Sequence, residues 1–266
     1  MTARKTKLDD ENAPLARKPG RRPRSEDGTP ALSREVVIQC AVNLARREPI
    51  SEISMVRVGR ELGVAPGLVH YYLGSRDDLL SAVLNFAFKE RMEALPPPVG
   101  NWRVDLEGVA RSAVSVMTGW PGLGTYSLTH NRFRLFQRVE SGETDYGLAY
   151  FDHVGRILRE GDFPGAKAAL AYHLLMLFVV SIAVERENRQ APRMHQDFIV
   201  GYVSQFDRGS VPGARYLVAP FAKIDNDMTF ESGLQLLLDG FENWRSDTNG
   251  RRSALPKRVQ RTPDAR

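Results

Sequence analysis

Apolar residues recur at intervals of three and four along most of this chain, and nowhere do they alternate residue by residue as a strand would. The first stripe is Val36, Val37, Cys40, Ala41, Leu44 and Ala45. Ser33 is placed to cap it, Leu32 to staple onto Val37, and Pro49 to stop it. Ser54 opens the short segment MVRVGREL, which Gly63 ends as a residue free to adopt positive φ. APGLVHYYL follows, with Ala65 near its cap and Pro66 suited to its first turn. Ser75 then starts a longer helix running to about Leu95; Ser75 and Asp78 form a capping box, and Asp77 complements the helix dipole. Pro96 to Pro98 break the pattern.

Beyond that break the spacing predicts helices at roughly 103–118, 121–130, 145–160, 164–188, 195–207 and 227–246, and it leaves about 208–227 as a long loop. The fold class is therefore all-α: a three-helix N-terminal unit plus a larger C-terminal helical domain. The boundaries expected are 1–30 for a disordered basic arm, 31–95 for the three-helix unit with its following helix, 96–248 for the second domain, and 249–266 for a basic tail. The longest apolar run, Ala168 to Val184, is at the short limit for a membrane span and carries Tyr172 and His173. A buried helix and no membrane partner are the expectation.

Composition narrows the class. The 266 residues are 42% apolar and 26% charged, with a formal charge of +5. A single cysteine, Cys40, excludes a disulfide framework and fits a reducing compartment, and the N-terminus lacks the apolar core of a secretory signal, so the cytoplasm is expected. The charge is uneven. Residues 1–30 hold eight Lys/Arg against five Asp/Glu, residues 31–95 hold eight of each, and residues 249–266 hold six against one. Positive charge thus sits on the tails, where it serves either a polyanion or simple solvation.

An enzyme finds no support in the motifs. There is no GxGxxG, P-loop, HExxH or GxSxG, and the five histidines, at 70, 130, 153, 173 and 195, lack i, i+4 ligand spacing. No metal and no cofactor are expected. The second and third helices, in contrast, have the spacing of a helix-turn-helix. Gly59, four residues before the turn glycine, supplies the small contact that a steep crossing needs. Pro66, Gly67, Leu68, His70 and Tyr71 are left for the outer face of the third helix, where base edges are read.

Across Leu32 to Val83 the chain resembles the DNA-binding domain of the tetracycline-repressor (TetR) family. The resemblance rests on the LSRE opening, the Ser54 cap, ELGVAPGLVHYYLGSRDDLL and the Ser-Arg-Asp start of the fourth helix. Phe230 to Trp244, FESGLQLLLDGFENW, also resembles the last helix of that family's C-terminal domain. The resemblance implies phosphate contacts from Ser54, Arg57, Tyr72 and Arg76, and base contacts from Pro66, Gly67, Leu68 and His70. His70 stands where Tyr is usual, and Leu68 where Thr or Ala is common. The arm RKPGRRPR, with Arg21, Arg22 and Arg24, is either a minor-groove hook or an inert leader.

Phe230, Leu234, Leu237, Phe241 and Trp244 form one heptad-like seam, and Gly233, Leu236 and Gly240 a second, smaller stripe. A helix apolar on two faces must be covered twice. The run 168–184 has the same need, so a four-helix homodimer interface including Leu174, Phe178, Gly233, Leu236, Leu237, Gly240 and Phe241 is expected, against an internal helix pair in a monomer. An effector pocket for a small apolar or aromatic ligand is expected from Met117, Trp120, Tyr126, His130, Phe133, Phe151, His173 and Met176; His130 and His173 are either its polar groups or satisfied core histidines. The function implied is a repressor that leaves a palindromic operator in double-stranded DNA when the effector binds, with a helical adaptor that no longer binds DNA as the alternative.

Overall fold

A computed structural model of the chain describes residues 32–129 and 135–250, the last five of these as backbone only. Among the described residues there are eleven α-helices and no strand. Helices α1 (Arg34–Ala45), α2 (Met55–Leu62) and α3 (Pro66–Leu73) pack together as the N-terminal unit, with a 3-10 turn at Ile50–Glu52. The caps act as the sequence predicts. Ser33 accepts from the Val36 amide, Ser54 from Arg57, and Ser75 and Asp78 make the reciprocal capping box. Inside the unit Val37, Leu44, Ile53, Val58 and Val69 are fully buried.

Helix α4 (Arg76–Glu93) belongs to both halves: it packs on α1 and α3 on one side, and on α5 (Trp102–Thr118) and α7 (Tyr146–Glu160) on the other. The larger body adds α6 (Leu123–Thr129), α8 (Gly165–Glu187), α9 (Gln196–Ser204), α10 (Pro212–Phe221) and α11 (Asn226–Gly250). The helical stretch Gly165–Ser204 is long and apolar enough to cross a membrane by composition. In the structure α8 buries only one face, Ala171, Leu175, Val179, Ile182 and Ala183, against α5, α6, α7 and α11, and leaves Leu170, His173 and Leu177 exposed, so the helix is not buried all round as expected.

Helix α10 corrects the expectation of a long loop across 208–227. Pro212 occupies its first turn, where the missing amide is harmless, and Val211 lacks a capping side chain, so the usual start signal is absent. Pro220 falls near the other end and disguises the helix further. Helices α9 and α10 pack on each other, with a ladder of rings from Phe198 to Tyr202 to Phe206 at centroid separations of 6.1 and 5.5 Å.

The seam of α11 also differs from the sequence pattern. Its core-facing residues are Phe230, Leu234, Leu238 and Phe241, so Leu238 replaces Leu237. Phe241, expected in a dimer interface, is buried within the protomer. Gly233 and Phe178, expected in the same interface, meet each other instead: a Cβ on Gly233 would lie 2.6 Å from the Phe178 ring. That ring stacks on Phe230 at 6.0 Å. The outward stripe that remains contains Leu236, 74% exposed, with Leu170, His173 and Leu177 outward on α8; Leu174, Leu237 and Gly240 are half-buried.

Candidate nucleic-acid interface and effector core

The turn between α2 and α3 has little freedom. Gly63 takes φ 68°, the left-handed region that a side chain disfavours. Gly59 lies under the start of α3, and a Cβ there would come within 2.9 Å of the Val64 carbonyl oxygen. The close crossing buries Val58 and Val69 and turns the rest of α3 outward. Pro66, Gly67, His70, Leu68 (40% exposed) and Tyr71 (80% exposed) share that outer surface. Tyr72 is half-buried and meets Tyr71 edge-on at 5.3 Å. An exposed α3 of this size, with apolar and hydrogen-bonding groups and no carboxylate, fits a major groove.

The groups expected to touch phosphate are placed less uniformly. The Ser54 hydroxyl accepts from the Arg57 amide, which leaves its own proton to donate. The Arg57 guanidinium is held by Glu48 at 2.5 Å and by Glu61 at 2.9 Å, and these hydrogen bonds raise its pKa further and lower both carboxylates. It therefore points into a charge cluster rather than standing free, and Arg47 joins the cluster through Glu61. Arg76 donates to the Ser51 carbonyl at 2.8 Å and to that of Ile53 at 3.4 Å, tying the start of α4 to the 3-10 turn. Arg60, which sequence reasoning missed, is exposed on α2, and its guanidinium makes no hydrogen bond or ion pair among the described residues. Arg21, Arg22 and Arg24 lie outside the described residues.

Two joints connect this unit to the body. In the first, Arg46 pairs with Glu90 of α4, donates to the Gly119 carbonyl at 3.1 Å and lies over the Trp120 ring at 4.0 Å. Trp120 Nε1 donates to the other oxygen of Glu90 at 3.0 Å. Beside it the Ile50 amide donates to the Pro121 carbonyl at 3.1 Å, and the Gly122 amide to Glu187 at the end of α8. In the second, Asn85 bridges the Thr144 carbonyl and the Tyr146 amide at 2.9 and 2.8 Å, while Arg34 pairs with Glu140 and Glu143 at 2.7 Å. Helix α4 is thus tied to the end of α1 through Glu90 and Arg46, and to the 3-10 turn ahead of α2 through Arg76.

The structure separates the residues expected to line the effector pocket. Trp120 is fixed in the first joint, and Met117 is buried beside it in sequence. His173 is exposed on α8, so it is neither a pocket group nor a satisfied core histidine of the protomer. His130 and Phe133 lie outside the described residues, and Tyr126 is buried on α6. Phe151 and Met176 do face one region. Phe151 meets Phe136 and Tyr172 edge-on at 5.8 and 4.8 Å. Burial pushes the Tyr172 phenol up to about 12, with the nearby Arg91 opposing, so it stays a neutral donor. Next to them lie Phe88, Tyr150 and Arg91, whose guanidinium covers both rings at 5.1 and 4.2 Å and reaches Met176 Sδ at 3.4 Å. None of these three was singled out from sequence, because Arg91 on α4 reads there as one more solvated charge.

Residues 96–245 match the model of the tetracyclin repressor-like C-terminal domain. An HTH-type transcriptional repressor of Mycobacterium tuberculosis, Rv1353c, is 35% identical over 95 residues, which cover 35% of this chain and 36% of that protein. The repressor DrrR1 of Streptomyces coeruleorubidus is 31% identical over 104 residues, 39% of this chain and 38% of that protein. The chain thus aligns with little more than a third of the length of these relatives. Among solved structures, apo ActR of Streptomyces coelicolor superposes with a TM-score of 0.70 at 23% identity, over 83% of this chain and 99% of ActR. ActR in complex with actinorhodin gives 0.68 at 24% identity, over 82% and 99%. With a helix-turn-helix ahead of a family-matched helical body, the chain belongs to the tetracycline-repressor-like family of transcriptional regulators.

Proposed function

We propose that the protein is a DNA-binding transcriptional repressor, working as a cytoplasmic homodimer on a palindromic operator and released by a small apolar or aromatic effector. The observation that carries this reading is the outer face of α3, held out by the Gly59 crossing with Leu68 and Tyr71 uncovered. Residues 1–30 form its arm, 31–95 the reading domain, 96–248 the effector and dimer domain and 249–266 a tail. Leu68 contacts a thymine methyl, His70 a phosphate or purine edge, and Ser54, Tyr72 and Arg60 the backbone.

Repression ends by population shift: the effector favours a state in which α4, pulled through the Glu90 and Asn85 joints, holds the two α3 helices at the wrong separation for successive major grooves. Support for an aromatic effector comes from the Phe136–Phe151–Tyr172 rings and from the actinorhodin bound by ActR. The dimer face is the outward stripe of α8 and α11.

A mobility-shift assay against the DNA flanking its own gene, over a salt series, tests the reading. Binding that weakens steeply with salt is expected, through counterion release. Leu68→Ala and His70→Ala should alter sequence preference, whereas Arg60→Ala should weaken all sequences alike. Indifference to duplex DNA even in dilute buffer would leave the helical adaptor as the better description.

A further inference from the structure

Arg91 is 8% exposed, yet no carboxylate among the described residues forms an ion pair with it. Its guanidinium rests on Phe88 and Tyr150 and touches the Met176 sulfur, a weak acceptor. Among the described residues its Nε is buried without an acceptor, and the Tyr150 hydroxyl is buried without a partner. Two faces of π density soften the burial of a cation but do not supply the oxygens that a guanidinium fork matches. Buried charges are ordinarily paired, and a native group left open calls for an explanation. Tyr172 lies close enough to feel both Arg91 and Tyr150, and its ring meets Phe151, still 39% exposed, edge-on at 4.8 Å.

We infer that the effector is an aromatic acid whose carboxylate is bound by Arg91 and the Tyr150 hydroxyl while its ring system lies against Phe151 and Tyr172. The inference rests on the effector-released reading and adds the charge of the ligand to it. The guanidinium donates through Nε and one Nη to the two carboxylate oxygens, and the tyrosine donates a third hydrogen bond. Arg91 directly follows Glu90, the residue that holds Arg46 and Trp120 in the first joint. An anion that draws Arg91 toward it therefore acts on the turn of α4 that locks the reading unit to the body. That is a differential contact of the kind a population shift requires.

Anthracene-9-carboxylate and its neutral counterpart 9-anthracenemethanol, titrated by fluorescence into the full-length protein, differ in charge and share their ring system. The acid should bind at least about tenfold tighter, the scale of a charge-assisted pair. Arg91→Met should make the two compounds bind about equally, and Arg91→Lys should keep part of the preference. Without ligand, Arg91→Met should melt no lower than the wild type, because it removes an unpaired buried charge, and the acid should raise the melting temperature of the wild type alone. Equal affinity of the two compounds for the wild type, failure of the acid to bind, or a preference that survives Arg91→Met overturns the inference. The operator assay separates the two readings: duplex binding with no acid preference rejects the acidic effector alone, whereas loss of duplex binding by the wild type rejects the repressor.

Discussion

The reading unit and the helical body treat positive charge in opposite ways. On α2 the guanidinium of Arg57 is clamped by Glu48 and Glu61 in partly solvated surroundings, and Arg47 shares Glu61. On α4, where it packs against the body, the guanidinium of Arg91 is buried among rings and pairs with no carboxylate among the described residues. A count of charges along the sequence finds residues 31–95 balanced and distinguishes neither arginine. The contrast shows that availability matters more than number. A surface arginine beside two carboxylates has little field left for phosphate, while an interior one without a counter-ion attracts any anion that reaches it.

The sharpest way to break this comparison is steric. Gly59→Val places atoms against the Val64 carbonyl and should destabilise the reading unit by about 1–3 kcal/mol, with loss of operator binding. Gly240→Ala in the body, where a Cβ meets nothing within 4 Å, should hold or raise the urea midpoint, because alanine suits a helix interior better than glycine. Equal midpoints for the two variants would remove the rigid crossing from the account.

Next in size is the outward stripe of the body. If the proposed dimer forms through this face, Leu236→Glu should convert it to a monomer in sedimentation velocity while its helical circular dichroism stays intact, because Leu236 is uncovered in the protomer. Leu234→Glu, at a fully buried position two residues away, should unfold the body instead. A Leu236→Glu protein that remains dimeric places the interface elsewhere.

The charge cluster sharpens the comparison directly. Glu48→Gln with Glu61→Gln leaves Arg57 free of both carboxylates and should strengthen duplex binding, with a salt dependence steeper by about one phosphate contact. An unchanged slope would mean that Arg57 faces away from DNA.

Smaller effects come from the caps and from acid. Ser75→Ala removes the capping box and should lower stability by about 1 kcal/mol in chemical denaturation. The folded-state pKa of Glu48, Glu61 and Asp78 is depressed below the ordinary 4.5 and 3.8, first by hydrogen bonds from Arg57 and Ser75. Their contribution is therefore complete above those values and is lost as the pH falls through the depressed ones. Melting temperature should drop below about pH 4 for the wild type, and less steeply for the double glutamine variant.

What was legible in the sequence follows one rule. Ser33, Ser54, Ser75 and Gly63 act on backbone within four residues of themselves, so their type and spacing were enough to place α1 to α4. The exposed face of α3 was legible for the same reason, since Gly59 and Gly63 set the crossing locally. Helix α10 was hidden because Pro212 and Pro220 read as breakers unless one knows they fall near its ends. Trp120, His173, Phe241 and Arg91 were misplaced or passed over because each depends on which neighbouring helix covers it.

The sequence by itself determined the all-α class, the start and stop of the reading helices, and which residues of α3 are left outside, because capping and steric forces act over single turns. Only the tertiary structure decided that Trp120 and Glu90 form a joint, that Phe178 settles on Gly233, and that Arg91 is enclosed by rings without a counter-charge among the described residues. Burial and pairing are properties of surfaces brought together from distant parts of the chain, and periodicity reports that a face is apolar without naming what will cover it.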